Sequence, residues 1–185
     1  MKKTALLLSV FVFLAVMGGG AFAQGTPITG EWSALGDTGE GGLSTLEMAQ
    51  TTVDGQTAYR FTGNVRTGGG VEWPYASAII EPDAATITAM SKASRITFKV
   101  RGDGQKYWFV VAIKDVTDYG YHRYSVQTKA GETVSVSVPV SQLRQPDWAL
   151  RKRMNLANVA EVRWDSFLVQ QNGPFDLTVW DVRFE

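Results

Sequence analysis

The sequence predicts an all-β protein, a two-sheet antiparallel β-sandwich, and three observations lead there. Apolar and polar residues alternate over short runs, Gly, Asp, Asn and Pro punctuate those runs, and no long segment carries an amphipathic helical stripe. A fourth feature bears on function: the chain holds six tryptophans and six tyrosines, an unusual supply of large rings for either a core or a binding face.

The N-terminus reads as an export signal. Lys2 and Lys3 form a basic start, residues 5–17 are apolar apart from Ser9, and Ala21-Phe22-Ala23 offers a small-x-small cleavage site. A membrane anchor needs about 20 apolar residues, so this stretch is too short to span. Residues 1–23 are therefore read as a signal peptide, and the protein as exported, periplasmic or secreted. The rest, residues 24–185, suits one domain with its own core. It carries 16 basic and 18 acidic side chains, a net charge of −2, with no long run of like charge. Nucleic acid and a membrane-binding arm are poor fits for that balance. There are no cysteines, so packing alone must hold the fold.

Residues 24–42 are rich in glycine and read as a loosely structured leading segment before the sandwich at 43–185. Nine strand-length runs follow, at 44–49, 57–65, 71–80, 95–101, 106–114, 121–128, 132–138, 159–169 and 175–184. In 95–101, Ile96, Phe98 and Val100 oppose Arg95, Thr97, Lys99 and Arg101, which marks one buried and one wet face. The run at 107–113 is apolar on both sides, as in a central strand covered on both faces or one with aromatic contacts outside. Turn chemistry separates the runs at Asp54-Gly55, Gly68-Gly69-Gly70, Gly102-Asp103-Gly104, Ala130-Gly131 and Asn172-Gly173-Pro174. Only 83–94 and 148–158 have room for a helical turn.

Three stretches in order carry a family resemblance: SRITFKVRGDGQKY at 94–107, Tyr124-Ser125-Val126 through VSVPVSQL at 136–143, and GPFDLTVWDV at 173–182. The pattern resembles the family 11 carbohydrate-binding modules and the complex I intermediate-associated protein family, both galactose-binding-like jelly rolls. The resemblance covers roughly residues 45–185. It implies a jelly roll of the galactose-binding-domain type with a cleft on one sheet, where rings stack on sugar and polar side chains bond hydroxyls.

Carried onto this chain, the resemblance points to several ligand-binding candidates. Trp73 and Tyr75 flank Pro74, spaced by two, and are open to two readings, stacking platform or core. Asp118 stands where the family places an aspartate and is the leading polar candidate, with Tyr121 and His122 beside it. His122 is the sole histidine, which excludes a histidine pair or a multi-histidine metal site. It fits either a cleft edge or a structural role. Strand phase sets Tyr121 and Arg123 opposite His122 and Tyr124, so these four cannot share one face. Arg144 and Trp148 match a region where an arginine and a ring enter the cleft, and Arg163 falls where the family has a cleft histidine. Trp164, in the opposite phase, reads as core. The resemblance also implies a structural calcium ion at Asp181 with Glu31 as partner; the competing reading pairs Asp181 with Arg183.

Two functions follow as expectations. The first is a non-catalytic module binding a polysaccharide or oligosaccharide, β-glucan-like; the second is an adaptor or assembly domain binding an envelope protein. An enzyme is not expected, because no pair among Glu72, Asp115, Asp118 and Asp165 is singled out by spacing.

Overall fold

A computed structural model describes residues 25–166 and 172–185. The expected signal peptide, and the last residues of the run at 159–169, lie outside the described residues. Among the described residues, eleven strands form two antiparallel sheets. In chain order they are β1 (Thr26–Pro27), β2 (Gly30–Gly36), β3 (Thr45–Val53), β4 (Gln56–Val65), β5 (Ala76–Pro82), β6 (Arg95–Gly102), β7 (Lys106–Ile113), β8 (His122–Gln127), β9 (Thr133–Pro139), β10 (Val159–Ser166) and β11 (Gly173–Phe184). One sheet runs β3-β4-β11-β6-β9, with β1 added to β11; the other runs β2-β5-β10-β7-β8. One short helix, α1 (Ala84–Met90), starts at Asp83, whose side chain accepts from the Thr86 amide.

All nine expected strands are present, and two corrections apply. The glycine-rich leading segment is not loose: it carries β2, seven residues that pair with β5 from Gly30↔Pro82 to Gly36↔Ala76. The run at 71–80 is a strand only from Ala76 onward. Its first half is a loop, because Pro74 lacks an amide donor and the Gly68-Gly69-Gly70 turn folds back on Gly41 and Gly42.

Alternation decides what each sheet buries. From the five-stranded sheet, Trp32, Ala78, Ile80, Tyr107, Phe109, Val111, Val126, Val162 and Trp164 face inward, against Phe61, Ile96, Phe98, Val100, Leu177 and Val179 of the other sheet. Rings join the layers. Trp32 stacks on Tyr59 at 4.3 Å and on Trp164 at 5.6 Å, while Phe98 meets Trp164 edge-on at 5.3 Å and Phe109 at 4.7 Å. Trp164 is 1 % exposed and lies at the centre of this column, as its strand phase predicts.

The Gly102-Asp103-Gly104 hairpin is held from its middle residue. The Asp103 carboxylate accepts from the Gln105 amide at 3.0 Å, the Tyr107 hydroxyl at 3.1 Å and the Asp176 amide at 3.1 Å, which ties β6, β7 and β11 together. The motif that carried the family resemblance is thus structural.

His122 shares the inward phase of Tyr124 and Val126, and it is buried. Its Nε2 lies 3.0 Å from the Lys152 carbonyl, to which it donates, and burial lowers its pKa below the ordinary histidine value.

Two outcomes test this packing. Trp164→Ala removes the ring shared by both layers and is expected to cost about 3–5 kcal/mol in urea denaturation. His122 has a folded pKa below its unfolded value, so its share of stability is complete above pH ~6.5 and declines as pH falls through the window beneath that value. Denaturation midpoints across pH 5 to 8 should show that loss in the wild type and its absence in His122→Gln.

Candidate functional site

The outward face of the five-stranded sheet is the candidate site, and strand register sets what it displays. One row crosses the sheet as Ser33, Ile79, Arg163, Val110, Arg123 and Arg144; the next reads Leu35, Ser77, Asp165, Trp108 and Ser125. Tyr121, two residues before Arg123, continues the outward phase at one end. Tyr75, two before Ser77, does so at the other.

Arg163 is the centre of this face. Its guanidinium meets Glu161 Oε2 at 3.4 Å and Asp165 Oδ1 at 3.2 Å, and donates to Ser77 Oγ at 3.0 Å. The Tyr121 ring lies over it at 5.5 Å. Burial alone would lower the Arg163 pKa, but the Asp165 and Glu161 carboxylates outweigh it and raise the value. Arg163 also acts on Tyr75, so it links the two phenols across the sheet. Burial, with a 2.9 Å hydrogen bond to Glu40 Oε1, pushes the Tyr75 hydroxyl up to about 12. Both phenols stay protonated at neutral pH; the Tyr75 proton is given to Glu40, while the Tyr121 hydroxyl is available as a donor.

Loops frame the face on two sides. At one, the buried Asp37 carboxylate accepts from Ser44 N at 3.0 Å, Ser44 Oγ at 2.6 Å and Tyr75 N at 3.1 Å. A side chain on Gly42 would strike this carboxylate, which explains the glycine there. The anchored loop presents Trp73 with 61 % of its surface open. At the other side, Asp118 accepts from Gly120 N at 3.0 Å and Leu150 N at 2.7 Å, and these bonds hold its carboxyl below the usual range. The buried Gln145 side chain donates to the Gly120 carbonyl at 2.7 Å and accepts from Lys152 N at 2.6 Å. Gly120 packs so tightly on Ala149 that a Cβ there would clash. The two loops joined in this way expose Tyr119 at 81 % and Trp148 at 66 %.

The residues expected from the sequence therefore divide. Tyr75, Tyr121, Arg144 and Arg163 belong to the outward face or its margin, with Trp73 and Trp148 exposed on the framing loops. Asp118 braces two loops through both oxygens. His122 is a correction: it faces the core, because the β8 phase that turns Tyr121 and Arg123 outward turns it inward. Asp181 and Glu31 were the residues expected at calcium. Asp181 pairs with Lys99 Nζ at 3.1 Å and Arg183 Nε at 2.5 Å, so two cations already neutralise it. Glu31 alternates with the inward Trp32 and points away from the core, and no cluster of three metal-ligating side chains occurs among the described residues. These residues do not fit a calcium site.

Trp108, Arg123, Glu161, Asp165 and Ser77 were not anticipated as site residues. Arg123 lies over the Trp108 ring at 4.3 Å. The signal available for them was the apolar 107–113 run, whose even-numbered residues needed an outward cover.

Comparison with known proteins agrees with this architecture. The family 11 carbohydrate-binding module of the cellulosomal cellulase Lic26A-Cel5E of Clostridium thermocellum superposes with a TM-score of 0.64 at 15 % identity, over 83 % of this chain and 86 % of that one. The module from the same organism in complex with a β-1,3-1,4-mixed-linked tetrasaccharide gives 0.59 at 15 % identity, over 80 % and 87 %. At these identities the likeness shows a shared jelly-roll fold. No curated protein matches the sequence. Among the described residues, no helix is long and apolar enough to cross a membrane. The family model for complex I intermediate-associated protein 30 matches residues 21–179, and the chain belongs to that family.

Proposed function

We propose that this protein is an exported, non-catalytic carbohydrate-binding domain that holds a polysaccharide across the outward face of its five-stranded sheet. The observation that carries the reading is the set formed by Tyr121, Arg163 and Tyr75. Rings and hydrogen-bonding groups alternate there, with the Tyr121 ring 5.5 Å from the Arg163 guanidinium, on a sheet face flanked by exposed Trp73, Tyr119 and Trp148. A pyranose needs both kinds of group: its C–H face packs on a ring, and its hydroxyls need donors and acceptors at the rim. Glu161 and Asp165 supply acceptors, Arg163 and the Tyr121 phenol supply donors, and the Tyr75 oxygen, whose proton goes to Glu40, can accept. The similarly folded module solved with a mixed-linked tetrasaccharide supports a glycan as the ligand class.

The site offers binding without turnover. Glu161 and Asp165 are both engaged in ion pairs with Arg163, an arrangement that holds them as fixed acceptors. Localisation outside the cytoplasm follows from the Lys2–Ala23 signal pattern and remains part of the proposal.

A second reading has one observation in its favour. Tyr119, Trp148 and Leu150 expose large apolar surface on two loops braced together by Asp118, which suits an adaptor that docks an envelope protein.

A glycan array followed by calorimetry separates the two. The carbohydrate reading expects retention of at least one polysaccharide class, undisturbed by chelator. Tyr121→Ala should weaken that binding about tenfold, the value of one lost ring contact. An array with no bound glycan, together with co-purification of an envelope protein lost in Trp148→Ala, would replace it with the adaptor reading.

A further inference from the structure

The arginine row on the candidate face is unevenly neutralised. Arg163 is enclosed by Glu161 and Asp165, whereas among the described residues neither Arg123 nor Arg144 has a carboxylate in ion-pair contact. These two are directly opposed. The Arg123 amide donates to the Arg144 carbonyl at 2.9 Å and the Arg144 amide to the Arg123 carbonyl at 3.1 Å, the hydrogen-bonded pairing of an antiparallel ladder. Such partners have Cα atoms about 5.5 Å apart and side chains on one face. Like charges at that position repel.

Each guanidinium is nevertheless held in place. Arg123 is half-buried against the Trp108 ring, 4.3 Å away, and burial lowers its pKa while Asp165 acts in the opposite sense. Arg144 donates through Nη1 to the Ser141 and Leu143 carbonyls. A ring face and two neutral carbonyls orient these cations without cancelling their charge. The two guanidinium groups stem from paired residues on one face, and the planar fork of an arginine suits the oxygens of a carboxylate better than a lysine does.

We infer that the Arg123–Arg144 pair recognises the carboxylate of a uronic acid residue, so that the polysaccharide bound at this face is acidic. The inference rests on the carbohydrate reading above and specifies its ligand. The sugar chain runs along the row that joins Arg163, Val110, Arg123 and Arg144. Arg163 and its carboxylates serve hydroxyls, and the unneutralised pair serves the charged substituent.

The test compares binding of the wild-type protein to alginate, polygalacturonate and hyaluronan, each native and carboxyl-reduced, beside a neutral mixed-linked β-glucan. Reduction removes the charge and keeps the sugar backbone. The expected result is binding to at least one native acidic polymer and a loss of tenfold or more on its reduction. The same complex should weaken as ionic strength rises from about 0.05 to 0.5 M. Arg123→Gln and Arg144→Gln should each reproduce the loss. Their thermal midpoints should match or exceed the wild type, since either change relieves repulsion. The wild-type comparison stands by itself if a variant fails to fold. Equal binding of native and reduced polymers, or binding of the neutral glucan alone, overturns the acidic-ligand inference and leaves the carbohydrate reading intact. Binding of no polymer, acidic or neutral, overturns both.

Discussion

The contact on which the rest depends is the ring column between the sheets, running from Tyr59 through Trp32 and Trp164 to Phe98 and Phe109. With no cysteine available, the layers are joined by side-chain packing, and aromatic rings supply the largest buried area per residue for that purpose. Trp164 commits β10 to one phase. Once it is inward, Arg163 and Asp165 have no position except the outward face, and the register with β7 and β8 carries Val110, Trp108 and Arg123 with them. The functional face is the complement of the core, produced by a period of two.

The loops that frame this face obey a different constraint. Irregular backbone leaves amides unpaired, and the chain meets that need with buried or half-buried acceptors: Asp37 for Ser44 and Tyr75, Asp118 for Gly120 and Leu150, and Gln145 for Lys152. Acidic residues that look free in the sequence are therefore occupied as braces. Their work is positional, since it sets where Trp73, Tyr119 and Trp148 stand. A polar residue in a loop has two possible employers, ligand and backbone, and here the backbone has claimed several.

Legibility from sequence followed the same division. Strands such as 95–101 were readable because one wet face keeps the alternation clean, and Trp164 was readable as core because Val162 shares its phase. The β2 strand was hidden by composition: an edge strand tolerates glycine, and its pairing with β5 is a long-range fact that no local signal carries. The register of 121–124 was legible as two opposed pairs, yet which pair faces inward depends on β7, so His122 remained undecided until Val111 was placed beside it. Arg123 was hidden for the same reason. Its meaning comes from Trp108 and Arg144, which are distant in the chain and adjacent only across the sheet.

The contrast between Arg163 and its neighbours in the row shows how one face can hold two kinds of arginine. A half-buried cation without a counter-ion sacrifices hydration, and a fold normally recovers that loss by placing a carboxylate beside it, as Glu161 and Asp165 do for Arg163. Arg123 and Arg144 receive a ring and two carbonyls instead, which orient them and leave the charge in force. Packing gives no reason to keep two like charges opposed, because a neutral side chain at either position would relieve the repulsion and could still cover Trp108. A bound anion does give such a reason, for it supplies the missing counter-charge only when present, and the repulsion endured in its absence then becomes part of its binding energy.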